Sequence, residues 1–270
     1  MSASASAGGG RGPGGATWTV IGAGSILPRV GHGPAGYALR AGPGAPVTLF
    51  DCGPGTLRSL AGVGIGLEEV RRIVISHFHV DHWLDLFAVA FARRNPALAS
   101  VPPLELVGPR GLERRLELGQ GVFGPGVAFT ETIVREVEPT TEISELQLDG
   151  LVLAHVHTMH TDTSLAWRAT LPAGSSVTYT GDTREVDQVA ELARDTDLFV
   201  AECSFPDEDG VPGHLTPSSA ARLARAAGAR RLLLTHFYPS LEPERARATA
   251  ARTFTGPIDV ACDGSVHPLR

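Results

Sequence analysis

Long apolar runs are missing from this chain. No stretch of its 270 residues approaches the roughly 18 to 20 consecutive apolar positions needed to cross a bilayer, so neither a spanning helix nor a membrane partner is expected. Cysteine is scarce. Cys52, Cys203 and Cys262 are far apart, odd in number and form no CxxC pair, which excludes a disulfide framework. Each is expected to be a small buried residue, with a reducing, cytoplasmic compartment as the default. Basic runs are also lacking. The net charge is −6, and no electrostatic footprint for gripping long nucleic acid stands out. Met1–Gly15 is rich in Ser, Ala and Gly. It has neither the early positive charge nor the apolar core of a secretory signal, and is expected to be a disordered tail. Residues 16–270 are long enough for one domain with a substantial core.

What the chain does have is His77-Phe78-His79-Val80-Asp81-His82. Three imidazoles and a carboxylate in six residues are the usual ligand types for zinc and other first-row divalent metals. The preceding Arg72-Ile73-Val74-Ile75-Ser76 is apolar and β-branched, as in a buried strand. The motif would therefore sit at a strand's C-terminal end, where α/β sheets gather their chemistry. By contrast, Gly22-Ala23-Gly24 is only a partial dinucleotide-loop pattern, with no helix-opening continuation.

The apolar pattern predicts strands at Thr17–Ile21, Ile73–Ser76, Leu104–Val107, Asp197–Ala201, Arg231–Thr235 and Ile258–Ala261, and a hairpin from Tyr37–Arg40 and Val47–Phe50. Asp51-Cys52-Gly53-Pro54-Gly55 reads as a sharp turn. Helices are predicted at Thr56–Ala61, Trp83–Arg94, Gly111–Leu118, Val186–Ala193, Pro217–Ala227 and Pro243–Arg252. The helix carrying Phe87 and Phe91 is expected to face the core. Alternation between Thr132 and Leu153 suggests antiparallel strands. A second strand-to-loop point falls at Val177–Asp182. Interleaved strands and helices of this kind indicate mixed sheets with helices outside. The other polar residues that close strands are His155, His157 and His160, then Asp182, His214 and His236. His32 and His267 are expected to be ordinary surface or satisfied histidines.

The ordered set His77-x-His79-x-Asp81-His82, Thr180-Gly181-Asp182-Thr183, His214-Leu215-Thr216 and Leu234-Thr235-His236-Phe237 resembles the metallo-β-lactamase superfamily. Within it, the set resembles the ribonuclease Z branch and its phosphodiesterase relatives. Asp51–Gly55 and Val107-Gly108-Pro109 add to the likeness, which runs from about Val20 to Pro268. The resemblance implies a four-layer αββα sandwich of two mixed sheets, with two zinc ions per chain at one edge; manganese or iron could replace the zinc. It gives His77 and His79 to one ion, together with a third histidine. Asp81, His82 and His236 go to the other ion, and Asp182 bridges both. In the ribonuclease Z branch the third histidine precedes, by eight positions, an arginine ending an aromatic-containing strand. His160 stands so to Trp167-Arg168, while His155 and His157 remain as alternatives or as partners that orient a ligand.

The resemblance also implies hydrolysis by a hydroxide held between the metals, because bound cations lower the pKa of water from about 15.7 to around 7. Asp81 would orient the nucleophile or take its proton. His214 would stand off the metals and protonate or stabilise the leaving group. Glu202, at a strand end, either orients His214 or is an ordinary surface carboxylate, and the second reading is the default. True tRNA-processing members carry an arm, usually between the third histidine's strand and the bridging aspartate. Here Arg168 to Thr180 is a tight connection through Pro172-Ala173-Gly174. Together with the acidic Asp207-Glu208-Asp209 run and Cys203-Ser204 after the aspartate, as in the phosphodiesterases, this favours a small or short nucleotide-like phosphodiester over tRNA. A ribonuclease Z-type endoribonuclease and a carbon-centred hydrolase (lactonase, thioesterase or arylsulfatase-like) are the alternatives. An intact His79 argues against a di-iron redox member, and the full ligand set argues against a scaffold. Relatives often form homodimers.

Overall fold

The computed structural model describes residues 15–27 and 29–270, so the tail expected at the N-terminus lies outside the described residues except for Gly15. Two seven-stranded sheets face each other. The first contains β1 (Thr17–Gly22), β2 (Gly36–Arg40), β3 (Val47–Cys52), β4 (Val70–Val74), β5 (Leu104–Pro109), β6 (Thr132–Val137) and β14 (Val266–Pro268), in the order β14-β1-β2-β3-β4-β5-β6. The second contains β7 (Ser144–Leu148), β8 (Leu151–His157), β9 (Leu165–Thr170), β10 (Ser176–Tyr179), β11 (Leu198–Glu202), β12 (Leu232–Thr235) and β13 (Ile258–Val260), in the order β13-β12-β11-β10-β9-β8-β7.

The sheets repeat one pairing scheme. In the first, β14, β1, β2 and β3 pair antiparallel, and β3 to β6 pair parallel. In the second, β7 to β10 pair antiparallel and β10 to β13 parallel. The central parallel strands are apolar and buried along their length, as strands covered on both faces must be. An aromatic layer between the sheets holds Trp18, Tyr37, Phe50, Trp167 and Tyr179. Separate cores lie beneath the outer helices. One uses α1 (Thr56–Gly62), α3 (Leu86–Arg93) and α4 (Leu112–Phe123); the other uses α5 (Asp187–Leu192), α6 (Pro217–Ala226) and α7 (Pro243–Ala250). These layers make the αββα sandwich.

Four expectations change, the first being that Cys52 and Cys203 are buried but Cys262, in the turn before β14, is exposed. The alternating region from Thr132 is not one antiparallel set: β6 pairs parallel with β5 in the first sheet, and β7–β8 form a hairpin in the second. Both β6 and β7 are half-exposed edge strands, so period-two alternation marks each as a strand without naming its neighbour. The single helix expected at Trp83–Arg94 is two, α2 (Val80–Trp83) and α3. They part at Asp85, whose carboxylate accepts from the backbone N–H of Gly55 (3.1 Å) and Leu57 (2.9 Å) at the start of α1. On α3, Phe87 is buried, whereas Phe91 is exposed.

Candidate metal centre

Each cluster residue follows a strand on the same edge of the sandwich. His77–His82 follow β4, His160 follows β8, Asp182 follows β10, His214 lies in the loop between β11 and α6, and His236 follows β12. The buried Asp182 carboxylate divides them. Its Oδ2 lies 3.7 Å from both His77 Nε2 and His160 Nε2, and His160 Nε2 is 3.1 Å from His79 Nδ1. Its Oδ1 lies 3.4 Å from both His82 Nε2 and His236 Nε2. Those two nitrogens are 3.2 Å apart, and Asp81 Oδ2 is 3.5 Å from His236 Nε2. Within each set, His77/His79/His160/Asp182 and Asp81/His82/His236, the ligand atoms lie within 4.8 Å of one another. A third such group joins His214 to Asp182 and His236.

The donor set fits metal cations. His77 Nε2 and Asp182 Oδ1 are buried with no hydrogen-bond partner, a costly arrangement unless another group satisfies them. A close pair of imidazole nitrogens holds at most one N–H···N bond, whereas neutral imidazoles around a carboxylate are ordinary metal ligands. Burial, followed by the neighbouring His82, keeps His77 well below its usual pKa, and burial with His160 lowers His79. Burial opposes the charge on Asp182, but His236 and His82 hold it well below the carboxylate range. His82 is raised: burial opposes its protonation, and Asp182 and Asp51 overcome that. A cation bound at Nε2 would replace that extra proton.

The opposite ring nitrogens are held by a layer of polar groups. His82 Nδ1 donates to Asp51 Oδ2 at 2.7 Å, which fixes Nε2 toward the cluster. Asp51 also accepts from Tyr179 Oη (2.7 Å), Ser76 Oγ (2.8 Å) and the Ser76 N–H (2.7 Å). Ser76 Oγ lies 3.0 Å from His77 Nδ1, Ser204 Oγ 3.0 Å from His236 Nδ1, and His160 Nδ1 donates to the Gly213 carbonyl at 2.9 Å. Asp51 and His236 both adopt positive φ, 57° and 60°, in the left-handed region that is uncommon for non-glycine residues and that Asp and His enter more readily than most. The sequence reading assigned no role to Asp51, Ser76, Tyr179 or Ser204. Their one signal was that Asp51 and Ser204 sit in motifs at strand ends.

His214 stands beside the cluster. Its Nδ1 is 3.2 Å from both Glu202 oxygens and 3.9 Å from Asp182 Oδ2, and its ring lies parallel to His236 with centroids 6.2 Å apart. The default reading of Glu202 is corrected here. It is a fully buried carboxylate that accepts from His214, Ser204 Oγ and the Thr183 N–H. Burial disfavours a charged His214, but the Glu202 bond and charge, with Asp182 behind, push its pKa up to about 9. Neither His155 nor His157 reaches the cluster: they bond to the carbonyls of Glu138 and Thr161. His32 approaches the Val30 carbonyl, and His267 the Ser265 hydroxyl.

An αββα sandwich with histidines and aspartates gathered at one edge is the architecture of metallo-β-lactamase-fold proteins. Residues 48–237 match the β-lactamase superfamily domain, and the chain belongs to that superfamily. It is 32% identical over 256 residues to an uncharacterized protein of Mycobacterium tuberculosis, covering 93% of this chain and 92% of that one. It is 29% identical over 280 residues to ribonuclease Z of Mycobacterium bovis, covering 93% and 99%. The crystal structure of the metallo-β-lactamase-fold protein YhfI from Bacillus subtilis superposes with a TM-score of 0.80 at 26% identity, covering 93% of this chain and 98% of that one.

Proposed function

We propose that the chain is a dinuclear zinc hydrolase that cleaves a small or nucleotide-like phosphodiester. The observation that carries this reading is the division of Asp182: one oxygen faces His77 and His160, the other His82 and His236. His77, His79 and His160 would hold one ion; Asp81, His82 and His236 would hold the other. A bound pair of ions supplies Lewis acidity and makes water nucleophilic near neutral pH. Asp81 orients the attacking water. His214, held protonated by Glu202, donates to the departing oxygen through Nε2, the ring nitrogen that Glu202 leaves free. Ser204 links Glu202 to His236, which keeps acid and ligand in register.

Two features support a small substrate with a flat ring. Phe205 and Tyr238 stack with centroids 4.6 Å apart, and both rings lie against His214, at 5.6 and 6.3 Å. Strands β9 and β10 are joined by residues 171–175 alone, a turn closed by the Leu171 N–H to the Ser175 carbonyl at 2.9 Å. Ribonuclease Z-type cleavage of RNA is the second reading, favoured by the likeness to the M. bovis enzyme.

A substrate panel on the zinc-loaded protein tests the choice. It compares bis-p-nitrophenyl phosphate, 2′,3′- and 3′,5′-cyclic nucleotides, a lactone and precursor tRNA. Turnover of bis-p-nitrophenyl phosphate and a nucleotide ester, with tRNA uncut, is the expected result. Cleavage of tRNA at its 3′ end would favour ribonuclease Z. Lactone hydrolysis with no phosphodiester turnover would overturn both readings.

A further inference from the structure

On the side of the cluster where His79 is exposed, a cleft of about 420 Å3 adjoins it. Phe78 and His79 form one wall, and Arg110 and Arg115 flank the beginning of α4. Thr161, Asp162 and Thr163, just after His160, close it. The Arg115 guanidinium carbon lies 4.0 Å from the centre of the Phe78 ring, and its Nη1 donates to the Gly111 carbonyl at 3.1 Å. Space for that guanidinium is built into the turn: a Cβ on Gly111 would come within 2.6 Å of Arg115 Nη1, at a backbone φ of +92°. Phe78 lies between His77 and His79. The cation is therefore seated on the loop that carries two cluster histidines.

The lining side chains set two guanidiniums, Arg110 and Arg115, against the one carboxylate of Asp162, a formal excess of one positive charge that Glu138 offsets only from outside the lining. Arg110 pairs with Glu138 at 3.1 Å, but both partners are more than half exposed, where such a pair is weak. Asp162 is the carboxylate among the lining residues. Arg115 gives one N–H to a carbonyl, and its remaining donors have the planar fork that suits a phosphate. Immobilised on Phe78, it loses little further freedom when it binds an anion.

We propose that this cleft is a subsite for a second phosphate carried by the substrate, with Arg115 its specificity-determining residue. The inference rests on the phosphodiesterase reading and deepens it, to a nucleotide that bears a phosphate besides the one cleaved. Arg115 lies outside the His214–Glu202 acid and the metal ligands. Its contribution is to ground-state binding, so it acts on KM and not on kcat.

The test uses the zinc-loaded protein and two chromogenic substrates, thymidine 5′-(p-nitrophenyl phosphate) with and without a 3′-phosphate. The 3′-phosphorylated substrate should have a KM lower by about tenfold, the scale of one or two charge-assisted bonds. Arg115→Gln should erase most of that preference with kcat for each substrate changed less than about threefold, and Arg115→Lys should restore part of it. Equal KM values in the parent protein, or a preference intact in Arg115→Gln, would overturn the subsite. Calorimetric binding of thymidine 3′,5′-bisphosphate against thymidine 5′-phosphate separates the two levels of inference. If neither ester is hydrolysed but the bisphosphate binds about tenfold tighter through Arg115, the phosphodiesterase reading fails and the subsite stands. If both esters are hydrolysed alike and both nucleotides bind alike, the subsite fails and the reading stands. Circular dichroism and zinc content of each variant establish that it is folded.

Discussion

At the residue scale, the proposed division of labour between His214 and the cluster histidines follows from which ring nitrogen each turns toward Asp182 and its neighbours. His82, His160, His77 and His236 face Asp51, Gly213, Ser76 and Ser204, short contacts that aim Nε2 inward. His82 and His214 both meet a buried carboxylate with Nδ1, which favours the imidazolium in each. His82, however, turns Nε2 to within 3.4 Å of Asp182, whereas His214 comes no nearer than 3.9 Å and does so with the Nδ1 that Glu202 engages. His214→Ala should therefore leave both bound ions in place and lower phosphodiester turnover by at least about 100-fold, the low end for losing a general acid. Elemental analysis and steady-state kinetics on one preparation check this; full activity, or loss of metal together with activity, would remove His214 from the role. His77, His79, Asp81 and His82 were legible in the sequence because they are contiguous. Asp51 was not, because its partners Ser76, His82 and Tyr179 are 25 to 128 positions away, and no local pattern announces such a contact. Glu202 was misread for a similar reason: a carboxylate ending a strand looks the same in sequence whether it meets solvent or a histidine twelve residues on.

At the scale of elements, the site depends on how closely the turn after β3 approaches α2. An ideal Cβ on Gly53 would sit 2.0 Å from the Asp81 carbonyl oxygen, a backbone contact that no side-chain movement relieves. The chain passes there because Gly53 donates its N–H to Ala35 O at 2.9 Å and Asp85 donates to Cys52 O at 3.0 Å, which ties the turn to both neighbours. Gly53→Ala should push α2 outward, cost about 1–3 kcal/mol of stability and weaken zinc binding at Asp81/His82/His236 before the other set. Denaturant melts and competitive zinc titration would show it; an unchanged midpoint and unchanged affinity would mean that this approach does not position the ligands. Most strands were readable from apolar runs and turn residues. Strand β14 was not: it is three residues long, ends in proline and is identified only by its pairing with β1. The partner of β6 was equally hidden, since it is decided by the α4 crossover and not by anything within the strand.

At the scale of the whole molecule, the candidate centre is assembled across the two sheets. Asp51 and His77–His82 come from the first; His160, Asp182 and His236 come from the second. The hydrogen bonds that cross between the sheets close to it include Trp167 Nε1 to Ile75 O (3.1 Å), Leu165 N to Ser76 O (2.9 Å), Tyr37 Oη with Thr235 Oγ1 (2.8 Å) and Tyr179 Oη to Asp51 (2.7 Å). Both sheets also change from antiparallel to parallel pairing at the strand that leads to a key carboxylate, β3 to Asp51 and β10 to Asp182. The two halves of the fold thus meet at the carboxylates that organise the ligands. Ions bound by both halves would clamp them together, and such binding stabilises the folded state by mass action. The most direct test of the proposed two-ion hydrolase is zinc titration into chelator-stripped, folded protein, with bis-p-nitrophenyl phosphate turnover and bound metal followed together. Turnover should be absent without zinc and rise to a plateau at two equivalents per chain; turnover that survives stripping, or a folded chain that binds no zinc, would contradict the account.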